Sequence, residues 1–223
     1  MRVATTLNTG TESTVENRKV QDLAPRSAPV QGRSRERTRL ILDVTSELLE
    51  KVGFDDLTTV LIAKGVGISV GSLYHYYPNK HAILHALGLR WLEEIEQALG
   101  TIAGWSVESM DSDELLDKML TTHLAVYRKQ RAVLTLVQAM FAVPELRELD
   151  TRHDDMVIGH MAEIFRRMGI QRHPKERERL GRFYLEMTHA AFLVIVNQNG
   201  QRARRTLDDL RMVMSTWLQH HLQ

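Results

Sequence analysis

Residues 58–80 read TTVLIAKGVGISVGSLYHYYPNK, and this stretch decides the fold. It predicts two short helices joined by a tight turn. Thr58 can accept a hydrogen bond from the free amides of the first helix, and Ser69 can cap the second. Gly67 lies between them and can adopt the left-handed conformation that a tight turn needs. This arrangement is a helix-turn-helix, in which the second helix lies in the major groove of DNA.

The block from Ser69 to Lys80 resembles the DNA-binding domain of the TetR family of bacterial one-component transcriptional regulators. The residues that match the family motif are Gly71, Ser72, Leu73, Tyr74, Tyr76, Pro78, Asn79 and Lys80. The resemblance continues upstream, through RTRLILDVTSELLEKVGFDDLT, and covers roughly residues 35–90. It departs from the family pattern at Gly65, Val66 and Tyr77. We expect Gly65 to weaken the end of the first of the two helices by about 1 kcal/mol relative to Ala.

The composition is that of an ordinary globular protein. The chain has 223 residues, 43% of them hydrophobic and 26% charged, which is enough for one large or two modest domains. It has no cysteine, which excludes disulfides, Cys-ligated zinc and thiol catalysis and fits the reducing cytoplasm, where we expect the protein. The longest apolar run, residues 190–196, is far shorter than the ~20 residues of a transmembrane helix, so we expect no membrane partner.

The N-terminal region divides into a polar tail and a basic arm. Residues 1–32 are rich in Thr, Ser and Asn and lack the apolar region of a secretory signal, which predicts a disordered tail. The net charge is only +1, so the distribution of charge matters more than its sum. Two interpretations of the arm stay open: a solvated start of a helix, or a contact with the backbone or minor groove of DNA. Its candidate contacts are Arg33, Arg35 and Arg37.

Apolar residues recur at helical spacing along the rest of the chain, and no segment alternates as a strand would, which predicts an all-α protein. We expect a three-helix DNA-binding domain at residues 33–80 and a larger helical domain for ligand binding and dimerisation at residues 81–223. The helix of residues 175–199 is apolar almost all round and must be buried on both sides. In the family that the chain resembles, the last two helices pair with a second copy, which implies a homodimer through residues 175–222 with Phe192 at the contact.

The resemblance also implies roles in DNA binding. The tyrosine hydroxyls and the Lys80 ammonium stand where the family contacts backbone phosphates, which position a protein without specifying sequence. Gly71 has no side chain and permits close approach to the groove, and Val70 can contact a thymine methyl group. The candidate contacts in and beside the two helices are Thr59, Ser69, Val70, Gly71, Ser72, Tyr74, His75, Tyr76 and Lys80.

A further implication of the resemblance is an apolar effector pocket in the larger domain, whose methionines can adapt to varied ligands. The candidate residues are Trp91, His123, Tyr127, Met140, Phe141, Met161, Phe165, Tyr184 and Met187. The alternative for most of them is an ordinary core position. His123 shares a helical face with apolar residues, and a hydrogen-bonded core histidine is the commoner explanation for it. We expect no cofactor.

His81 and His85 lie four residues apart, which is the spacing of a zinc-binding pair, but no third ligand follows at a fixed spacing. We interpret them as half-exposed histidines and expect no metal site. The chain also shows no nucleophile motif, phosphate loop or glycine-rich cofactor turn, so we expect no enzyme and no catalytic residue.

Together these patterns predict a homodimeric repressor that binds a palindromic DNA operator and releases it when a small apolar effector binds. One alternative is a constitutive DNA-binding protein without an effector. Another is an all-helical metal-dependent enzyme that uses His81, His85 and acids such as Asp154.

Overall fold

The computed structural model describes residues 32–129, 132, 135–137, 143–170 and 172–222, together with Leu23. Within these residues every regular element is helical, as the sequence predicts. The α-helices whose two bounds lie within these residues are α1 (Gly32–Asp56), α2 (Thr59–Val66), α3 (Val70–Tyr76), α4 (Lys80–Ala103), α5 (Ser112–Lys129), α6 (Arg147–Arg167), α7 (Pro174–Val196) and α8 (Gly200–Leu222). Single 3₁₀ turns lie at Val107–Ser109 and Pro144–Leu146. Most of the predicted tail, Met140 and Phe141 lie outside the described residues.

Three capping residues set where α2, α3 and α4 begin. The side chains of Thr58, Ser69 and Asn79 each accept a hydrogen bond from the backbone N–H three residues later, at 3.1, 3.0 and 2.8 Å. Each such cap contributes about 1 kcal/mol to stability. Gly67 lies between α2 and α3 with φ 73° and ψ 36°, the left-handed conformation that the sequence predicts. The helix-turn-helix prediction is therefore confirmed in its turn and in both caps.

The first three helices close over a small apolar core. Ile41 and Leu49 of α1, Ile62 of α2 and Leu73 of α3 are all fully buried. Each buried side chain of this size contributes roughly 1.5–3 kcal/mol. α1 is interrupted at Gly53, where φ is 76°, and one further helical turn follows it.

Gly65 has a packing role that its local sequence does not reveal. A Cβ atom at this position would lie 2.7 Å from Cγ1 of Val44 on α1. Real Cβ atoms do not approach other atoms so closely, so glycine is what allows α2 to lie this near to α1. The expected loss of helix propensity at Gly65 is offset by this close packing of the two helices.

The larger set of helices surrounds a second part of the core. Trp91 of α4, Leu120 of α5, Met161 of α6 and Tyr184 of α7 are all buried. α6 and α7 approach so closely that a Cβ atom on Gly181 would lie 2.7 Å from a backbone oxygen of α6. The middle of this domain is therefore packed around short distances between helix backbones.

The apolar surface of α7 faces two different surroundings. Phe192 is 1% exposed and its ring lies 5.3 Å from that of Tyr127, so it belongs to the core of the chain and not to an outer contact. The expectation that Phe192 lies between subunits is therefore wrong. The other side is an outer apolar face, which we define as Phe183, Met187, Ala191 and Val194 of α7 with Val213 and Trp217 of α8. Val194 is 50% exposed and Val213 42% exposed.

We predict that Gly65→Ala destabilises the protein by about 1 kcal/mol. The reason is that the free-energy cost of overpacking the added methyl group against Val44 exceeds the gain in helix propensity. The measurement is the free energy of unfolding in urea. The matched control is Gly100→Ala on α4, where a Cβ atom meets nothing within 4 Å and should stabilise by up to about 1 kcal/mol.

The double variant Val44→Ala/Gly65→Ala should be at least as stable as Val44→Ala alone, since the obstructing methyl group is gone. If Gly65→Ala stabilised the native protein as much as Gly100→Ala does, close packing at Gly65 would be refuted.

Candidate nucleic-acid interface

Helix α3 presents a polar face to the outside because one residue anchors its apolar face. Leu73 is fully buried, whereas Ser69, Gly71, Ser72 and His75 are exposed. Val70 and Tyr76 are half-buried beside them. A Cβ atom on Gly71 would have only the Ser69 hydroxyl, at 3.8 Å, as a neighbour. The structure thus brings these candidate residues together on one short, accessible helix.

Two pairs of hydroxyl groups organise this face. The Ser69 and Ser72 hydroxyls lie 2.8 Å apart, and the Ser69 oxygen also caps α3. The Thr59 hydroxyl lies 3.2 Å from the Tyr74 hydroxyl, which joins the start of α2 to the middle of α3. Tyr74 is 39% exposed, so its side chain lies at the protein surface, and the contact with Thr59 holds its hydroxyl in one place. This arrangement suits a hydrogen bond to a fixed phosphate oxygen.

Lys80 makes a contact within the protein that its motif position does not predict. Its ammonium donates a hydrogen bond to the Phe54 carbonyl oxygen at 3.1 Å and lies 4.3 Å from the centre of the Phe54 ring. A lysine ammonium has three donors, so this bond leaves two for other acceptors. The side chain therefore ties the start of α4 to the segment that follows Gly53.

The basic arm is part of a helix. α1 begins at Gly32, so Arg33, Arg35 and Arg37 stand on its first turns. Arg35 is exposed and Arg37 half-buried. Whether they contact DNA stays a prediction, because their place on α1 is compatible with both interpretations.

An ionic junction connects α1 to α4 and α4 to α5, and the sequence did not indicate it. Arg90 of α4 bonds Asp43 of α1 at 2.6 Å, and Lys129 of α5 bonds Glu94 of α4 at 2.9 Å. These side chains line an open groove of about 600 Å³ between α1, α4 and the end of α5. Charged pairs from distant parts of the sequence meet here only because α4 lies against both α1 and α5.

The two histidines with zinc-like spacing have other partners. The ring of His81 stacks on that of Phe54 with 6.3 Å between centres. His85 is half-buried; its burial, opposed by the charge of Glu148, lowers its pKa. Among the described residues no group of three His, Asp or Glu side chains converges as metal ligands would.

Several of the predicted effector residues form a buried ring cluster, which we define as Trp91, His123, Tyr127, His153, Tyr184 and His189. Trp91 stacks on His153 at 4.7 Å and meets Tyr127 edge-on at 6.1 Å. The Tyr127 hydroxyl lies 2.7 Å from Nδ1 of His189.

A second layer of the ring cluster lies one helical turn away. Here the Tyr184 hydroxyl lies 2.9 Å from Nδ1 of His123, and the Phe165 ring lies 6.4 Å from that of Tyr184. Met161 is fully buried in the same core. Met187, also a candidate, lies on the outer apolar face instead, because its helical position matches that of Phe183 and Val194.

His153 and His189 belong to the ring cluster but were missed from the sequence. A signal was present for His153, since it falls at helical spacing between the buried Leu149 and Val157. No comparable pattern marks His189, which becomes part of the cluster through its bond to Tyr127.

Burial keeps four side chains of the ring cluster uncharged. It lowers the pKa of His123 to about 3 and that of His189 to about 4, and it raises the pKa of both Tyr127 and Tyr184. At neutral pH all four side chains are therefore neutral. Acidic and basic groups lie at the edge, where Asp154 bonds Arg182 at 3.2 Å.

We predict that the free energy of unfolding falls as pH decreases from 6.5 to 5. Folding lowers the pKa of His123 and His189 below the ordinary value of 6.5, so the unfolded chain takes up protons that the folded chain does not. The contribution of these two histidines to the free energy of unfolding is thus fully present above pH 6.5. Below that pH it falls by up to about 1.4 kcal/mol per pH unit for each histidine.

Urea titrations at several pH values measure this slope. His123→Gln should reduce it, because one of the histidines whose pKa folding lowers is gone. The control His75→Gln, at an exposed position on α3, should leave it unchanged; equal slopes in all three proteins would contradict the prediction.

Comparisons with known proteins place this architecture. Residues 41–87 match the family model "Bacterial regulatory proteins, tetR family", and residues 111–218 match "Tetracyclin repressor-like, C-terminal domain". The two matched ranges together span more than half of the chain.

Two curated relatives are similar over parts of their length. Nucleoid occlusion factor SlmA of Haemophilus ducreyi is 33% identical over 120 residues, which cover 53% of this chain and 57% of SlmA. The chain thus spans little more than half of SlmA. The HTH-type transcriptional regulator BetI of Stenotrophomonas maltophilia is 26% identical over 154 residues, 67% of this chain and 76% of BetI.

The fold is also shared with solved structures. A TetR-family transcriptional regulator from Streptomyces coelicolor superposes with a TM-score of 0.58 at 20% identity, over 83% of this chain and 99% of the other. No helix in the described ranges is long and apolar enough to cross a membrane. Because the helix-turn-helix and the larger helical domain each match their family counterpart, the chain belongs to the TetR family of DNA-binding transcriptional regulators.

Proposed function

We propose that the protein is a cytoplasmic, ligand-responsive repressor that binds a palindromic operator as a homodimer and releases it when a small effector binds. Residues 33–80 would bind DNA, and residues 81–223 would bind the effector and form the dimer. One observation carries the proposal: two adjacent residues of α4 reach the two functional regions. Arg90 bonds Asp43 of α1 in the DNA-binding domain, and Trp91 lies in the buried ring cluster.

DNA recognition would use the exposed face of α3. The Ser72 hydroxyl and the Val70 methyl groups would meet base edges, and Gly71 would allow the helix backbone to approach them. The paired hydroxyls of Thr59 and Tyr74 would bind a phosphate and fix the depth of α3 in the groove. The two Lys80 donors left by the Phe54 bond would serve the same purpose.

Dimer formation would use the outer apolar face. The Phe183 and Trp217 rings lie 4.9 Å apart, so α7 and α8 present a single apolar surface. Large apolar side chains such as Val194 and Val213 are costly to leave in water. A second copy that buries the same face would place two α3 helices on one side of the dimer, as a palindromic operator requires.

The switch would act through α4. A ligand that separates Trp91 from His153 by displacing the middle of α4 would move Arg90 with it. The bond between Arg90 and Asp43 would pass this movement to α1. A ligand that prefers the displaced state a hundredfold supplies about 2.7 kcal/mol toward it, which is in the range of coupling between sites in allosteric proteins.

A constitutive DNA-binding protein is the second candidate. The similarity to SlmA favours it, since that relative is named for nucleoid occlusion and not for transcription. The two candidates differ in one measurable property: only the repressor releases DNA when a ligand enters the ring cluster.

We predict that duplexes selected by this protein from a random library contain inverted repeats, with half-site centres separated by about 10–10.5 base pairs or a multiple of this. Affinity should fall steeply as salt increases, because phosphate contacts release counterions. Fluorescence anisotropy with the selected duplex measures both the affinity and its dependence on salt.

Two variants separate the assigned roles. Tyr74→Phe should weaken binding to every duplex by about the same factor without changing the salt slope, because a neutral phosphate contact is lost. Ser72→Ala should instead change the preference among base sequences. Lys64→Gln, on the exposed end of α2, is the control for a change in surface charge. Selection of duplexes without symmetry, or full affinity in Tyr74→Phe, would contradict the proposed interface.

We also predict that the native protein sediments as a dimer at micromolar concentration and that Val194→Glu separates it into monomers. A buried carboxylate without a partner costs several kcal/mol, which corresponds to a more than hundredfold loss of association. Val60→Glu is the matched control, because Val60 is 62% exposed on α2 and lies far from the outer apolar face. A monomeric native protein, or a dimer that tolerates Val194→Glu, would refute this interface.

A further inference from the structure

Two nitrogen atoms inside the ring cluster have no hydrogen-bond partner within the described structure: Nε1 of Trp91 and Nε2 of His123. Their residues are only 1% and 4% exposed, so water does not satisfy them from outside. Nearly all buried polar groups in proteins are paired, and each exception requires an explanation. An indole nitrogen can only donate, so Trp91 lacks an acceptor.

The situation of His123 follows from its other ring nitrogen. Nδ1 lies 2.9 Å from the Tyr184 hydroxyl. If the hydroxyl donates, the ring proton lies on Nε2, which is then a second donor without an acceptor. In the other tautomer Nε2 is a lone pair without a donor. A ligand hydroxyl satisfies either tautomer, and a carbonyl oxygen satisfies Trp91 in both.

No described residue of the ring cluster carries a fixed charge, and the nearby charged side chains of Arg90, Glu94 and Asp154 are partly exposed. Among the described residues, the buried polar side chains are Thr45, His123, His153 and Thr188, and none is a carboxylate, lysine or arginine. An anionic ligand would therefore leave its charge without a cation, which is costly in a buried site.

A cationic ligand fits no better. Quaternary ammonium groups bind to the open faces of aromatic rings. One face of Trp91 is covered by His153, which stacks on it at 4.7 Å, and Tyr127 lies edge-on to Trp91 at 6.1 Å. The Tyr127 hydroxyl is itself bonded to His189 at 2.7 Å. These contacts leave ring edges and N–H donors, and not an open aromatic cage.

We infer that the effector is an uncharged, largely aromatic molecule with a carbonyl or hydroxyl oxygen, and that this oxygen accepts a hydrogen bond from the Trp91 indole inside the ring cluster. The inference rests on the proposed effector-responsive function and specifies its ligand. Apolar rings of the ligand take the place of the contacts between Trp91, Tyr127 and His153, while its oxygen pairs with the free donor.

This assignment also explains how binding would reach DNA. A ligand ring cannot enter beside the Trp91 N–H without displacing packed neighbours, because Trp91 is 1% exposed and already stacks on His153. Entry of the ligand would therefore shift the middle of α4. Effector binding and DNA release are then consequences of the same event.

The test compares four probes of nearly equal size: 2-acetylnaphthalene, its isostere 2-isopropenylnaphthalene, 2-naphthoate and 2-naphthylmethylammonium. The first two differ in one position, where a carbonyl oxygen replaces a CH₂ group. Binding to the dimer is measured by calorimetry, and release of the selected duplex by anisotropy. We expect 2-acetylnaphthalene to bind about tenfold more tightly than its isostere, and each charged probe to bind at least about tenfold more weakly than the ketone.

A second readout follows the hydrogen bond itself. The chain has three tryptophans, so the ¹⁵N-labelled protein gives three indole signals that single Trp→Phe variants assign. The Trp91 N–H signal should move downfield with 2-acetylnaphthalene and not with its isostere. Trp91→Phe should abolish the preference for the ketone while retaining most of the affinity for the isostere. The control Trp105→Phe, at a half-buried position outside the cluster, should retain the preference.

Each outcome decides a specific point. Equal binding of ketone and isostere, tighter binding of either charged probe, or no binding of any probe would overturn the inferred ligand class. The first two results would leave the proposed effector response intact if duplex release persisted. Failure of every compound in a wider panel to release the duplex would refute the proposed function itself. The isostere comparison uses the native protein, so it remains decisive even if Trp91→Phe does not fold.

Discussion

The burial of α4 between two groups of helices is the constraint on which the rest of the structure depends. Its start is capped by Asn79 and tied to Phe54 through Lys80, and its middle bonds α1 through Arg90. At its end, Arg167 of α6 donates to the carbonyl oxygens of Ala103 and Trp105 at 2.6 and 2.7 Å. A helix that is held at both ends by its neighbours cannot shift in one domain without moving the other.

Charge is distributed so that this helix joins an ionic surface to a neutral interior. Arg167 also bonds Glu108, and this hydrogen bond lowers the pKa of Glu108 to about 2. Such pairs are exposed and contribute little to stability individually. Inside, His123 and His189 stay neutral because burial disfavours their charged form. In the proposed effector site, polar side chains of the interior would therefore discriminate among neutral ligands by hydrogen bonding.

The two ends of the molecule illustrate different uses of hydroxyl groups. On α3 the hydroxyls of Ser72 and Tyr74 are exposed and fixed by neighbouring hydroxyls, so in the proposed interface they would bind DNA at little entropic cost. In the interior the Tyr127 and Tyr184 hydroxyls are paired with histidines, and the unpaired donors are nitrogens. The exposed hydroxyls of α3 suit a partner of fixed shape such as a DNA duplex. The buried nitrogens would be reached only by a ligand that displaces the side chains packed around them.

The sequence by itself determined the helix-turn-helix, because its caps at Thr58 and Ser69 and its turn at Gly67 use residues that act on atoms only a few positions away. It also determined the all-helical fold, through apolar spacing, and placed most of the ring cluster inside. Only the tertiary structure decided the role of Gly65, the position of Phe192 and the bonds from Lys80 to Phe54 and from Arg90 to Asp43. These depend on which helices meet, and contacts between residues far apart in the chain leave no periodic pattern in the sequence.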